Sequence, residues 1–481
     1  MGTEISASET GFKDVVDELR ANLDGTVIAA GDAEYAAAAK VWNGMFDERR
    51  PVAVLRPTSE EDVRRAVAAL AEVDAPLAIR GGGHHIAGFG GCDGGFVIDM
   101  SGLRGTSVDP DARRIRVGGG ALLHDLDTAG AEHGLSVPVG VISPTGVAGL
   151  VLTGGVGWQT RKHGYGCDKL RSARVVTAAG EIVQASETEN ADLLWGLRGG
   201  GGNFGVVTEF EFEAHEQDEV LVTSAYYVVR DAEESAELVR AYRDWSLEAG
   251  RDQTMWTYLG TGSETFRELE PALVGARYVG FTAVSLDVSD GARARLAQIE
   301  RFGANPLLAQ TRPMRMVELQ HFGDSADSAL AGFPRYMKGE MMRELTDSMI
   351  DGIATRAAEM PTVRTIFEMG MQGGAMADTG EMEMAVGMRD AQHLGGWSVM
   401  GDEPGEDIAD AIQWARDAWD VLAPGSCGGT YLNFDGEADE GRVLGSLSAD
   451  RGDEKRTRLA QIKRSWDPGN RFHVNHNIKP A

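Results

Sequence analysis

Cysteine is scarce in this chain of 481 residues. The three present, Cys92, Cys167 and Cys427, are too few for a disulfide framework, and neither a CxxC pair nor a Cys/His zinc spacing occurs. A reducing compartment and no metal site are the expectation. Lysine is scarce too: eight of the 46 basic residues, the other 38 being arginine. Basic charge as a whole is outnumbered, 46 residues against 74 acidic ones, which leaves a formal net charge of −28. Such a field repels phosphate backbones and anionic bilayers, so nucleic acid and membrane drop out as partners. No run of 18 apolar residues occurs, and Met1 to Leu23 carries Asp and Glu in place of an apolar signal core. A cytoplasmic location follows as an expectation. Met1, Gly2 and Ser6 fit the myristoylation pattern only as a short chance match.

What the chain has is the material of a large core. Hydrophobic residues make up 42% and charged ones 25%, the proportions of a folded globular protein. The length suits two to four domains or one large composite. Acidic patches such as Asp439, Glu440 and Asp450, Asp453, Glu454, with so few lysines, give the profile of a salt-adapted, haloarchaeal type of protein. An ordinary acidic protein from a GC-rich genome gives the same profile. Glycine is in excess, 63 residues or about 13% against a usual ~7%. It lacks a triplet period and falls in clusters between apolar runs, where the chain turns tightly against something.

Strands and helices alternate through the first part. Val52 to Leu55 reads as a strand, and Pro57, Thr58, Ser59 and the following Glu60 and Glu61 as a helix start. Leu77 to Ile79 and Phe96 to Ile98 read as strands around the Gly-rich stretch Arg80 to Gly95; Ile115 to Val117 is a strand before a helix near Ala121 to His133. A second Gly-rich stretch, Thr145 to Gly157, leads to a hairpin of Ala173 to Thr177 and Glu181 to Val183. A third, Arg198 to Gly205, runs into the alternating strand Val206 to Phe212. From about Asp218 longer strands (Leu221 to Val229, Tyr278 to Val288), charged helices and methionines mark a second domain.

Gly200, Gly202 and Gly205 have the GxGxxG spacing of a dinucleotide fold, but a strand follows where that fold needs a helix, and no P-loop sequence exists. What remains is three separate Gly-rich loops beside strands, whose N–H groups can jointly wrap a large phosphate-bearing cofactor. Simple turns of a β-rich core are the plainer reading of any one of them.

Arg80-Gly81-Gly82-Gly83-His84, Ala87-Gly88, Thr145-Gly146-Val147-Ala148-Gly149, Gly154-Gly155-Val156-Gly157-Trp158, Leu194 to Gly205, Tyr431-Leu432-Asn433-Phe434, Trp466 to Asn470 and Asn475-His476-Asn477-Ile478 occur in this order. The set resembles the berberine bridge enzyme-like branch of the vanillyl-alcohol oxidase / p-cresol methylhydroxylase (PCMH) flavoproteins, strongly at both flanks and weakly over Asp218 to Pro424. The resemblance implies an α+β fold: a PCMH-type FAD-binding domain of two α+β lobes (1–215), a substrate domain with an antiparallel sheet covered by helices (216–430), and a C-terminal segment (431–481) returning to the FAD domain. It assigns to FAD the positions Arg80, Gly81, Gly82, Gly83, His84, His85 and Gly88; Thr145, Gly146, Gly149, Gly154, Gly155, Gly157 and Trp158; Gly202, Asn203, Gly205 and Val207; and Asn475 and Asn477. His84 holds the place of the histidine bonded to the flavin 8α-methyl. The family's second, cysteinyl link is not expected, because Ile142 or Ser143 stands at its position. Cys167 remains a candidate flavin contact, with a small core residue as the simpler reading.

The resemblance also implies the chemistry: hydride leaves a CH–OH or CH–NH group of a small molecule for the flavin while a base takes the neighbouring proton. Tyr431 and Asn433 match the Tyr-x-Asn segment that supplies the catalytic groups, and Glu368 and Glu383 are further carboxylates considered as bases. Where the family has a polar strand, this chain reads Met384-Ala385-Val386-Gly387-Met388-Arg389, which points to a more apolar, Met-lined pocket. O₂ or another carrier is the electron acceptor, and the chain is a monomer or homodimer. Two alternatives stand beside this reading: a noncovalent FAD-dependent NAD(P)H-linked reductase, and a non-catalytic flavin-containing binder.

Overall fold

The computed structural model describes residues 12–264, 270–324, 328, 330–437, 440–447 and 451–481. The N-terminal myristoylation match and the acidic residues Asp439 and Asp450 lie outside them. Its frame is three sheets. The first holds β1 (Thr26–Ala29), β2 (Ala53–Arg56), β3 (Leu77–Arg80) and β4 (Phe96–Asp99) in the order β1-β2-β4-β3, with β4 parallel to both neighbours. Burial on both faces explains why these strands read as continuous apolar runs. The helix Glu60–Ala69 covers this sheet, opened by Ser59, whose hydroxyl accepts from Asp62 N at 3.1 Å.

The second sheet comprises β5 (Thr106–Asp109), β6 (Arg114–Gly118), β8 (Leu170–Val176), β9 (Ile182–Ser186) and β10 (Val206–Glu213), ordered β5-β6-β10-β8-β9 and antiparallel throughout. The small pair β7 (Leu135–Ser136) and β11 (His215–Glu216) lies apart from it. The hairpin read between Ala173 and Val183 is β8 and β9, and the strand read after the third glycine cluster is β10.

The third sheet has seven antiparallel strands, β12 (Glu219–Val228), β13 (Gln253–Thr261), β14 (Arg277–Ser285), β15 (Leu308–Arg315), β16 (Arg335–Met342), β17 (Ile366–Met371) and β18 (His393–Met400). Their order is β15-β12-β14-β13-β17-β18-β16. One face carries Met255, Leu259, Phe367, Met369, Trp397 and Val399 into a core shared with the helices Ala232–Leu247, Asp347–Ala357 and Ala409–Trp419. Alternation then turns Trp256, Tyr258, Arg335, Met337 and Glu368 to the opposite face.

Two local readings are corrected. The stretch Thr145 to Gly157 is not all loop, because Val147–Leu152 is a short helix whose Val147 and Val151 are buried. Met384 to Arg389 is no strand but irregular chain: Met388 has φ +53°, and a Cβ on Gly387 would lie 1.8 Å from Leu447 O. The tail forms the helix Gly452–Trp466, packed on the helix Ala191–Leu197. No helix among the described residues is long and apolar enough to cross a membrane.

Candidate active site

The three glycine loops, the free face of the large sheet and the C-terminal segment enclose a cavity of about 460 Å³. The first loop leaves β3 at Arg80. Its guanidinium is buried and donates to Gly90 O and Ala38 O, both at 2.7 Å, so Arg80 braces the loop from behind and is not in the wall. Gly81, Gly82, Gly83, His84 and His85 are in the wall. The His84 ring stacks on Trp42 with centroids 4.8 Å apart, and Trp42 N donates to Gly83 O at 3.1 Å. His85 Nδ1 accepts from Ala87 N at 3.0 Å, which puts the ring proton on Nε2. Burial holds this imidazole neutral, its pKa lowered to about 3. Gly88, at φ +67°, is set back against the Phe46 ring.

The second loop meets the first face to face. A Cβ on Gly82 would stand 2.3 Å from Gly146 N, and one on Gly146 2.2 Å from Gly82 N, so only two glycines allow this approach. Thr145, Gly146 and Gly149 line the cavity, as does Ile142. Ser143 turns away, its hydroxyl donating to Gln320 O at 3.1 Å. Gly154 (φ +137°) and Gly155 (φ +93°) are behind the wall, in a turn that aims the Gly155 and Val156 N–H groups at Tyr431. The Tyr431 oxygen accepts from Gly155 N at 3.1 Å, Val156 N at 3.3 Å and Asn433 Nδ2 at 3.0 Å. Asn433 is fixed in turn, its Oδ1 accepting from Thr153 Oγ1 at 2.8 Å. Burial pushes the Tyr431 phenol up to about 12 against the pull of these donors.

Four of the positions read from sequence are not in the wall and do not brace it directly. Gly157 presses on Val139, where a Cβ would stand 1.7 Å from the carbonyl oxygen, and Trp158 is a core residue. Cys167 is fully buried beside the Asp168–Arg389 ion pair (2.8 Å), and burial raises its thiol well above the usual range. It does not reach the cavity. Asn477 is exposed. The expected methionine lining is also absent at Met384 and Met388; Met100 and Met337 are the methionines that face the cavity. Glu383 bonds Gly380 N instead of facing it.

The third loop contributes Gly202, Asn203, Gly205 and Val207, and the tail contributes Phe472, Asn475 and His476. Sequence reading passed over the group that joins them. Lys463 Nζ, wholly buried, donates to Asn203 O (2.7 Å), Phe472 O (2.8 Å) and Asp467 Oδ2 (2.7 Å), while Asp467 accepts from Arg471 N and Phe472 N. Trp256, Tyr258 and Arg335 were likewise not singled out, and Trp42, Phe434 and His476 carried no assigned role. The signal for those on strands was present: each polar or aromatic residue alternates with core positions of its own strand.

Trp42 Nε1, His85 Nε2, Asn475 Oδ1 and His476 Nε2 are buried wall atoms with no hydrogen-bond partner among the described residues. Unsatisfied polar atoms around glycine loops suit a large polar ligand. Residues 51–186 match the family profile described as FAD binding domain, and residues 453–479 the one described as Berberine and berberine like. The chain is 27% identical to (R)-6-hydroxynicotine oxidase of Paenarthrobacter nicotinovorans over 95% of its own length and 97% of the relative's. The crystal structure of 6-hydroxy-D-nicotine oxidase from Arthrobacter nicotinovorans superposes with a TM-score of 0.83 at 24% identity, covering 96% of this chain and 99% of that one. A glucooligosaccharide oxidase from Acremonium strictum, described with a 6-S-cysteinyl, 8α-N1-histidyl FAD, superposes at 0.82 with 22% identity, covering 97% and 99%. The matches identify an FAD-linked oxidoreductase, whose 51–186 segment matches an FAD binding domain. Its likeness to named oxidases extends over nearly the whole chain.

Proposed function

We propose that the chain is an oxidase or dehydrogenase that takes hydride from a CH–OH or CH–NH carbon of a small molecule, with FAD bonded to His84. The observation that carries this is the Tyr431 oxygen, which receives three N–H groups at the cavity wall. These donors reduce the cost of forming the phenolate and oppose burial, which pushes the phenol up to about 12. FAD, when bound, supplies the two-electron acceptor. Tyr431 then takes the proton of the substrate hydroxyl or amine, Asn433 and the Gly155 and Val156 amides hold the phenol oxygen in place, and the three glycine loops bind the dinucleotide. His84, in the wall and stacked on Trp42, is the attachment residue; Ile142 lines the cavity where a second link would need a thiol. We read 1–215 as the FAD domain, 216–430 as the substrate domain and 431–481 as returning to the first, which the Lys463 contacts with Asn203 support. The acidic surface supports a salt-adapted, cytoplasmic enzyme.

Acid precipitation tests the cofactor reading. Yellow colour stays in the pellet and mass spectrometry finds the flavin on the peptide containing His84; in the His84→Ala variant the colour moves to the supernatant. Colour released from the wild type excludes the covalent link and favours a noncovalent reductase, and a folded chain without flavin removes the cofactor from the reading.

A further inference from the structure

The free face of the large sheet carries a carboxylate that no described residue answers. Glu368, on β17, lines the cavity, and its carboxylate has neither a hydrogen bond nor an ion pair among the described residues. Its cross-strand partner in the ladder is Tyr258 of β13, whose ring faces the same cavity and whose hydroxyl is equally unpartnered. Beside them the Trp256 indole lies flat over Gly370, where a Cβ would stand 2.4 Å from the ring. Phe434 meets Trp256 edge-on with centroids 6.3 Å apart. Burial pushes the Glu368 carboxyl above its usual range, and Arg335, the cation acting on it, pulls the other way. Arg335 does not pair with it: that side chain is bonded to Ser398 Oγ at 2.9 Å and lies over Trp42.

We propose, building on the oxidoreductase reading above, that the substrate is a cationic amine on an apolar frame, and that Glu368, flanked by the Trp256 and Tyr258 rings, receives its ammonium. A carboxylate removed from bulk water costs free energy until a cation or several donors reach it. The ring faces beside it are negative and attract the same cation. A sugar ring would need a partner for each of several hydroxyls, and beyond Glu368 and Tyr258 this end of the cavity offers few: Asn433 is already committed on both atoms of its amide. The net charge of −28 adds to the preference, because the field of the whole molecule concentrates cations at a cleft.

Two probes of matched shape separate charge from fit: phenyltrimethylammonium and uncharged tert-butylbenzene, titrated by calorimetry into the FAD-loaded protein. The cation is expected to bind at least tenfold more tightly. In Glu368→Gln that preference falls to near unity while tert-butylbenzene affinity is unchanged. A wild-type protein that binds the cation no better than tert-butylbenzene overturns the proposal, and so does a folded Glu368→Gln that keeps the preference. The wild-type comparison stands by itself if the variant does not fold. Flavin retention after acid is read on the same samples, so failure of the His84 link is visible separately from the ratio of the two probes.

Discussion

Three N–H donors on one oxygen make Tyr431 the most constrained polar atom in the cavity wall. Removing that oxygen takes away the proton acceptor and leaves three donors facing a ring edge. In Tyr431→Phe, flavin reduction by substrate should slow by about 10²–10⁴, the usual worth of a positioned acid or base. Rapid mixing without oxygen reads that rate, and an unchanged value removes Tyr431 from the reaction. At this scale much was legible in the sequence. His84, the Gly81 to Gly83 run, Thr145 and Gly146, Asn203 and Tyr431 all stand in the wall, because glycines that permit close approach leave a pattern in one dimension. Arg80, Gly154 and Gly155 instead act from behind it. Cys167 is a core residue, the simpler of its two readings, though a thiol beside a glycine gives no sign that Asp168 and Arg389 enclose it.

Elements carry two ion and ring pairs whose loss should be measurable. Lys463 and Asp467 are both wholly buried one helical turn apart, and Lys463 ties the tail helix to the third glycine loop. Lys463→Met leaves the carboxylate buried and unpaired, at a cost of about 3–5 kcal/mol. A lower urea midpoint together with weaker FAD retention is the expected result, and full retention would separate the latch from the cofactor. The second pair is His163 with His215, stacked in parallel with ring centroids 3.8 Å apart. Burial, with Lys162 and Lys169 nearby and Glu213 opposing, lowers the two imidazoles to about 3 and about 4. The unfolded chain binds these protons below about pH 6.5, the folded one does not. Their stabilisation is therefore complete above that pH and drains away as pH falls toward 4. Discounted for partial solvent contact, each ring should account for about 1 kcal/mol lost between pH 7 and pH 5. His215→Gln should flatten that slope in urea titrations. Alternation revealed β10, and the turn at Ala179-Gly180 revealed the hairpin β8 and β9. The family resemblance, not periodicity, put a strand at Met384 to Arg389, which is held as irregular chain by contacts with Leu447 and Asp168 that no local pattern encodes.

For the whole molecule, charge and connectivity matter more than any one contact. Exposed ion pairs cancel locally and contribute little each, while the uncancelled −28 opposes compaction everywhere. Raising KCl from about 0.1 M to about 1 M shortens the screening length from about 10 Å to about 3 Å. The thermal midpoint should therefore rise with salt; a falling midpoint would mean that the surface pairs outweigh the repulsion. The α+β class was legible because strand and helix patterns follow one another along the chain, yet the large sheet's order, which brings β17 beside β13 and sets Glu368 against Tyr258, comes from pairings far apart in sequence. The tail's return has a consequence in time. Phe472, Asn475 and His476 form part of the same wall as His84, yet the ribosome makes them about 390 residues later. The glycine loops can fold early, but a complete cradle exists only after the far segment has emerged, so FAD can find its full wall only once translation has passed the tail.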